Sequence, residues 1–516
     1  MLNLSPREYQ KVIFETAKDK NTLVVLPTGL GKTLISLLLA VYRMQKYPAK
    51  KILMLAPTRP LVEQHLNSFR SQLPELYADL QLFTGSVPAE KRKSIFNTAD
   101  IIFSTPQCIA NDLKNYLYNL EDVSLLIIDE CHRTIKNYDY TSVVNYYKSQ
   151  AKNQRILGLT ASPGSDASTI KEICLNLNIE EIEVRTRDSE DVKPYIKERE
   201  FQKVEVPFPV EFQEIKVLLK RIYEEKVNQL KARNLIFGPV NKITLLKTQS
   251  RLAARVTSKD FTAMIGMSLT AQAIKISHAL ELLETQTLSG LKEYFFSLIK
   301  QANEKKSRAV QSLVKSPEFN AALISLQNLL AKQIEHPKVE ELAVIVENEF
   351  KNNLNSKIII FSQFRETAQT ILERLKKISE IKPSVFIGQA KKSNSRGISG
   401  LNQKEQKQII EKFRSGEINT IIATAIGEEG LDIPEVSAVI FYEPIPSAIR
   451  KIQRAGRTAR LSPGKLFILM TKDTRDIAFH YASSANEKKM YKTLEVVKKE
   501  LKENKNNQSQ KISDFQ

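Results

Sequence analysis

TLVVLPTGLGKTLISLLLA (residues 22–40) reads as a buried strand, a tight loop and an apolar helix in immediate succession. Gly29 and Gly31 let the backbone approach a ligand closely, and the helix that follows presents its free N–H groups to an anion. Lys32 adds a charge suited to β- and γ-phosphates, and Thr33 a hydroxyl suited to Mg²⁺. The stretch departs from G-x-x-x-x-G-K-[ST] only at Leu26, which serves better as the last residue of the strand. Pro27, Thr28, Gly29, Leu30, Gly31, Lys32 and Thr33 are therefore the expected phosphate cradle.

Working outward, further short β-rich runs alternate with helix-length segments: KILMLA (51–56), LQLF (80–83), IIFS (101–104), SLLIID (124–129) and RILGLT (155–160). The pattern resumes with KIIIFS (357–362), SVFI (384–387), NTIIAT (419–424), SAVIFY (437–442) and KLFILMT (465–471). Continuous apolar runs separated by helices indicate parallel sheets covered on both faces. Two α/β domains are expected, at 1–200 and 341–485. Between them, 201–340 reads as long helices, with 21 Lys+Arg against 13 Asp+Glu, an inserted helical domain with a basic face. Residues 486–516 are Lys/Glu-rich and read as a helix followed by a disordered tail.

The whole chain of 516 residues has 77 Lys+Arg against 58 Asp+Glu, a formal net charge of +19. That balance suits a polyanionic partner such as nucleic acid. Cys108, Cys131 and Cys174 have neither paired spacing nor a neighbouring histidine cluster, which argues against a zinc site or disulfide framework and for a reducing compartment. No apolar run reaches the ~18 residues of a membrane span, and the N-terminus lacks a signal pattern. A soluble, cytoplasmic protein is expected.

Two further stretches carry chemistry. In LLIIDECH (125–132) an acid leaves the carboxyl end of a buried strand, where ligands bind in parallel sheets, so Asp129 is placed to hold Mg²⁺. Glu130 is then the candidate general base for the water that attacks a γ-phosphate. In QRAGRTAR (453–460), Arg457 and Arg460 lie three apart and would bring cation density to the transferring group from another domain.

Taken together, these residues resemble superfamily 2 helicases of the DEAH-like branch, and within it the archaeal Hef and eukaryotic FANCM group of fork-remodelling DNA helicases. The resemblance covers roughly 4–480. Tyr9-Gln10 resembles the adenine-reading Q motif, LPTGLGKT motif I, APTRPLVEQH (56–65) motif Ia, DECH motif II and TAS (160–162) motif III. IIIFSQFR (358–365) resembles motif IV, TAIGEEGLDIP (424–434) motif V and QRAGRTAR motif VI. The group-specific likeness lies in IGEEGLDIPEV, in FYEPIPSAIRKIQRAGRTAR and in the segment 388–406.

The resemblance implies two RecA-like motor domains with a thumb-like helical insert that grips structured DNA. It implies that Tyr9 and Gln10 read adenine, that Gly430 and Asp432 approach ATP from the second domain, and that Gln453, Arg457 and Arg460 complete the catalytic set. His132, Thr160 and Ser162 would couple hydrolysis to domain motion. Contacts to the DNA backbone would fall on Thr58, Arg59, Thr84, Gly85, Thr105, Ser362, Gln363 and Thr424. ATP and Mg²⁺ are the implied cofactors, forked or branched DNA the implied partner, and 3′→5′ the implied polarity. Motif VI departs from the family in Ala455 and Ala459.

Only about 35 residues follow His480, so no nuclease domain is expected and a separate structure-specific nuclease becomes a candidate partner. The end QKISDFQ loosely resembles a sliding-clamp peptide through Ile512 and Phe515. DECH helicases resembling Dicer and RIG-I also carry a helical insert and act on double-stranded RNA. That alternative is disfavoured by the motif V to VI segment.

Overall fold

The computed structural model describes residues 5–74, 77–136, 138–256, 260–388, 400–424, 433–456, 458 and 463–513. Among them, seven parallel strands form a first sheet: β1 (Thr22–Val25), β2 (Lys51–Leu55), β3 (Leu80–Phe83), β4 (Ile101–Ser104), β5 (Val123–Ile128), β6 (Ile156–Thr160) and β7 (Glu181–Val184). Their order is β3-β4-β2-β5-β6-β1-β7. A second parallel sheet holds β8 (Arg199–Val206), β9 (Ile358–Phe361), β10 (Pro383–Phe386), β11 (Thr420–Ala423), β12 (Ala438–Phe441) and β13 (Gly464–Thr471), in the order β10-β11-β9-β12-β13-β8.

The apolar strand runs divide by parity, because successive side chains leave a strand on opposite faces. Leu23, Val25, Leu53, Leu55, Leu126 and Ile128 enter one core of the first sheet. Val24, Leu26, Ile52, Met54, Leu125 and Ile127 enter the other. The second sheet repeats this, with Ile358, Ile360 and Ile440 on one side and Ile359, Phe361 and Phe441 on the other. Each face is covered by helices, which is why these strands tolerate no alternating polar residue.

The edge strands β7 and β8 escape the sequence reading. EIEV and REFQKVEV alternate charged and apolar residues, and β8 leaves most of its length exposed, as a strand paired on one side can. β8 pairs with β13, so the second sheet takes its first strand before the insert begins, across the 200/201 boundary expected above. At the other end, the helix Lys338–Asn352 gives Val339, Leu342, Val346 and Phe350 to the core of the second sheet. The insert between them comprises the helices Gln213–Ala232, Lys242–Val256, Phe261–Thr285, Leu288–Asn303, Arg308–Val314 and Pro317–Ala331, built around two apolar clusters.

The C-terminal segment is helical from before residue 486, and the sequence did not show where that helix packs. One helix, Arg475–Ser513, leaves the second sheet and crosses to the first domain. Its Met490, Leu494 and Val497, spaced one helical face apart, are buried in the first domain's core. The Lys/Glu-rich composition belongs to the solvent side of this helix. Phe515 of the clamp-like end lies outside the described residues, and no described helix is long and apolar enough to cross a membrane.

Insert, second sheet and C-terminal helix meet at a buried polar cluster. Lys338 Nζ donates to Asp476 Oδ2 at 2.8 Å and to the Thr285 carbonyl at 2.7 Å. Thr367 donates to Gln286 Oε1 at 2.9 Å, and His336 is fully buried beside them. Glu443, also buried, faces Arg454, Lys338 and Asp476; burial pushes its carboxyl up to about 7, against the pull of Arg454 and Lys338.

A carboxyl that holds its proton more tightly when folded contributes stability at low pH and loses it as pH rises from about 4.5 through about 7. Glu443→Gln is therefore expected to flatten the pH dependence of the melting temperature in that window. At pH 8 it is expected to stabilise the protein by about 1–3 kcal/mol. Parallel melting curves for wild type and variant across that range would refute the assignment.

Candidate nucleotide and nucleic-acid site

The loop after β1 turns through Gly29 (φ 84°) and Gly31 (φ 77°), both in the left-handed region that favours glycine. Gly31 caps the helix Lys32–Lys46, whose first turn carries Lys32 and Thr33. Lys32 Nζ donates to the Leu26 carbonyl at 2.9 Å. Tyr9 and Gln10 brace the loop from outside: the Tyr9 hydroxyl donates to the Leu30 carbonyl at 2.8 Å and Gln10 Nε2 to the same oxygen at 3.2 Å. A Cβ on Gly31 would come within 2.3 Å of Gln10 Nε2. The pair that the resemblance assigns to adenine thus also fixes the phosphate loop.

Asp129 and Glu130 leave the carboxyl end of β5. Asp129 is buried, its Oδ2 lies 2.8 Å from His65 Nε2, and its carbonyl accepts the Tyr140 hydroxyl at 2.9 Å. Burial opposes ionisation of Asp129, but His65 and the Lys32 ammonium outweigh it and hold the carboxyl below its ordinary value. Glu130 sits at φ 50°, ψ 45°, a left-handed conformation costly for a side chain with a Cβ and found where function demands a fixed direction. Its Oε2 is buried without a hydrogen bond, 3.2 Å from His132 Nδ1.

From there a polar chain leads away. His132 Nδ1 lies 3.2 Å from Thr160 Oγ1, which accepts the Ser162 N–H at 3.1 Å. The Ser162 hydroxyl donates to Met490 Sδ at 2.9 Å. Met490 belongs to the helix that continues out of the second domain, so the three expected coupling residues connect the acidic pair to the other motor domain.

The second domain meets the loop at the end of the helix Ala448–Ala455. A Cβ on Gly456 would fall 1.5 Å from Thr28 Oγ1, so only glycine fits that approach. Gln453 is buried on this helix, and the Arg454 guanidinium lies 4.9 Å from the Phe361 ring centre. A cleft of about 660 Å³ opens beside the contact, bordered by Pro27, Thr28, Arg199, Lys451, Gly456 and Glu487.

The residues expected to touch DNA stand at the carboxyl edges of the two sheets. Thr58, Thr84, Thr105, Ser362 and Thr424 each follow the carboxyl end of a strand, β2, β3, β4, β9 and β11 respectively. Thr58 and Thr105 also precede helices, and Gly85 and Gln363 are exposed. Arg59 is paired with Glu63 at 2.8 Å. Gly430, Asp432, Arg457 and Arg460 lie outside the described residues.

With this geometry in place, comparison with known proteins is decisive. The DEAD/DEAH box helicase model matches residues 7–170, the helicase conserved C-terminal domain 337–462, and a model described as "Putative ATP-dependent RNA helicase, helical bundle" 211–334. The crystal structure of the Pyrococcus furiosus Hef helicase domain is 40% identical, with a TM-score of 0.69, over 93% of this chain and 98% of that one. The chain belongs to the Hef helicase family. A "Putative ATP-dependent RNA helicase" of Methanocaldococcus jannaschii is 37% identical over 95% of this chain and 61% of its own length. A "Putative ATP-dependent DNA helicase", fml2 of Schizosaccharomyces pombe, is 34% identical over 96% and 64%. The chain thus spans about three fifths of the length of these curated relatives.

Within the Hef-family frame, sequence reasoning passed over three residues that support the site: His65 and Tyr140 on Asp129, and Met490 below Ser162. His65 closes the quoted motif Ia stretch. Tyr140 and Met490 announce themselves in no motif, since their roles depend on which helix crosses which strand.

Proposed function

We propose that the chain is an ATP-dependent DNA translocase, of 3′→5′ polarity, that remodels forked and branched DNA. The observation that carries this reading is the close approach of Gly456 to Thr28, which sets the second motor domain directly on the phosphate loop. Opening and closing of that contact would move the strand-end residues of the two sheets past one another along a DNA strand. ATP is the fuel; hydrolysis supplies the free energy for each step.

The residues also fit Mg²⁺. Asp129 is held ionised, Thr33 stands on the first helical turn, and Glu130 Oε2 and Thr28 Oγ1 are buried oxygens without a hydrogen-bond partner. Asp129 and Thr33 would hold the hydrated cation, which supplies charge stabilisation at the phosphates. Glu130 would orient the attacking water and accept its proton. Arg457 and Arg460 would add positive charge from the second domain.

Names of the relatives divide between DNA and RNA, so the substrate is the point to test. ATPase rates should be compared with single-stranded DNA, duplex, fork, four-way junction and RNA duplex. The expected order places fork and junction first and RNA duplex last; an RNA-first order would transfer the chain to a double-stranded RNA substrate. A sliding clamp, reached through Ile512 and Phe515, and a separate structure-specific nuclease are the protein partners that this reading adds. Clamp co-purification unchanged by deletion of 508–516 would remove the first of them.

A further inference from the structure

Glu443 is a buried acid with no part in the chemistry described so far. It stands two residues past β12, at the carboxyl edge of the second sheet, and is 2% exposed. Both of its carboxylate oxygens are buried without a hydrogen bond. Such a group costs the fold stability, and a native chain that keeps it does so for another purpose.

Two sets of neighbours face this carboxyl. From the motor comes Arg454, 1% exposed, its guanidinium 4.9 Å from the Phe361 ring centre and 6.0 Å from that of Phe441. Arg454 lies on the helix Ala448–Ala455, which leads through Gly456 to Arg457. Lys451 of that helix is tied to Glu487 of the C-terminal helix at 3.0 Å. From the insert's attachment come Lys338 and the Gln286 amide, with Asp476 beside them. Gln286 follows the last residue of the helix Phe261–Thr285, and its Oε1 accepts the Thr367 hydroxyl at 2.9 Å. Lys338 is already committed to Asp476 and to the Thr285 carbonyl. Glu443 therefore stands between the root of the insert and the arginine-bearing helix, hydrogen-bonded to neither.

We propose that Glu443 is a positioning residue: when the motor closes on ATP and DNA, its carboxylate takes the Arg454 guanidinium and fixes the helix Ala448–Ala455 against the phosphate loop. The inference rests on the DNA-translocase reading above and adds to it the residue through which the seating of the insert reaches the arginines. Away from water, attraction between charges rises steeply as they approach, so a small shift of the helix decides whether the pair forms. A planar guanidinium can stay on the Phe361 and Phe441 rings while it turns an edge to a carboxylate. Gly456 has no slack against Thr28, so the same shift is felt at the phosphate loop.

The experiment uses the full chain with saturating forked DNA at pH 8, above the value of about 7 to which burial raises this carboxyl. Glu443→Gln is expected to lower the DNA-stimulated kcat about ten- to hundredfold, the size of effect that a small misplacement of catalytic groups produces. Its KM for ATP and its half-saturating DNA concentration should stay within about twofold of wild type. Its melting temperature should be no lower than that of wild type. Glu443→Asp keeps the charge on a shorter arm and opens a gap in the packing. It should turn over faster than Glu443→Gln and melt lower. A merely structural role would rank the two variants the same way in both measurements. Glu443→Gln/Arg454→Gln should be no slower than Arg454→Gln alone, as for two groups that act as one.

A wild-type DNA-stimulated kcat in Glu443→Gln would overturn the proposal, and so would turnover that follows melting temperature through the series. Losses that multiply in the double variant would separate Glu443 from Arg454 and overturn it as well. Absence of DNA-stimulated ATPase in wild type would instead overturn the DNA reading itself, and this inference with it.

Discussion

Glu130→Gln is expected to reduce DNA-stimulated ATP hydrolysis at least about a hundredfold, the lower range for loss of a positioned general base. Binding of nucleotide and of DNA should stay near wild type. The argument begins with the backbone: Glu130 is held at φ 50° between the buried β5 and the short turn Cys131–Arg133, so its side chain has a fixed direction. Glutamine has the same size and meets the same backbone, and the fold should be indifferent to it. What changes is proton affinity. An amide in place of the buried carboxylate cannot take a proton from water, and it puts an N–H or a neutral oxygen where Oε2 now lies 3.2 Å from His132 Nδ1. Single-turnover hydrolysis separates this from a binding defect, and Lys32→Ala gives the contrasting case, in which phosphate contact itself is lost. Turnover of Glu130→Gln within about threefold of wild type would remove it from the base role, since that is under 1 kcal/mol of barrier.

The elements that the sequence reveals are the ones whose environment is simple. β1, β2, β4, β5, β6, β9, β11 and β12 are buried on both faces, so their positions are mostly apolar, with only small hydroxyls and the terminal Lys51 as polar exceptions, and the run is visible in the letters. The carboxyl ends of these strands then locate Thr28, Asp129, Ser162 and Thr424 with no further information. β7 and β8 are edge strands, and their alternating charges resemble many loops. The packing of the C-terminal helix is hidden for a related reason: Met490, Leu494 and Val497 are sparse among lysines and glutamates, and only the first domain's presence beneath them makes them core. Likewise His65 is one polar residue on an amphipathic helix until Asp129 is seen 2.8 Å away. Periodicity records how much of a residue is buried. It does not record what lies opposite.

Lys338→Ala is expected to destabilise the protein by about 3–5 kcal/mol, the cost of leaving one partner of a buried ion pair behind. Lys338 and Asp476 are both fully buried, 2.8 Å apart, and Lys338 also satisfies the Thr285 carbonyl at the end of the insert's long helix. Burial already pushes the Asp476 carboxyl above its ordinary value against the pull of Lys338. Without the lysine it rises further, so Asp476 either stays charged and unpaired or takes up a proton that the unfolded chain would have released. A folded-state carboxyl so raised loses stability as pH rises, and the deficit of the variant should therefore be largest at alkaline pH and shrink toward pH 5.

The same substitution relaxes His336, which burial first and Lys338 second hold well below its ordinary value. The consequence reaches function because the pair joins the insert's attachment point to the first turn of the helix Arg475–Ser513. Loosening it should uncouple ATP hydrolysis from fork remodelling before the motor itself fails. Hydrogen exchange at 285–288 and 471–476 reports the local opening. The double variant Lys338→Met/Asp476→Leu, apolar and of similar volume, should recover much of the lost stability. A loss below about 1 kcal/mol for Lys338→Ala, the range of exposed pairs, would mean that water reaches the cluster and that this junction is not the joint through which the insert is driven.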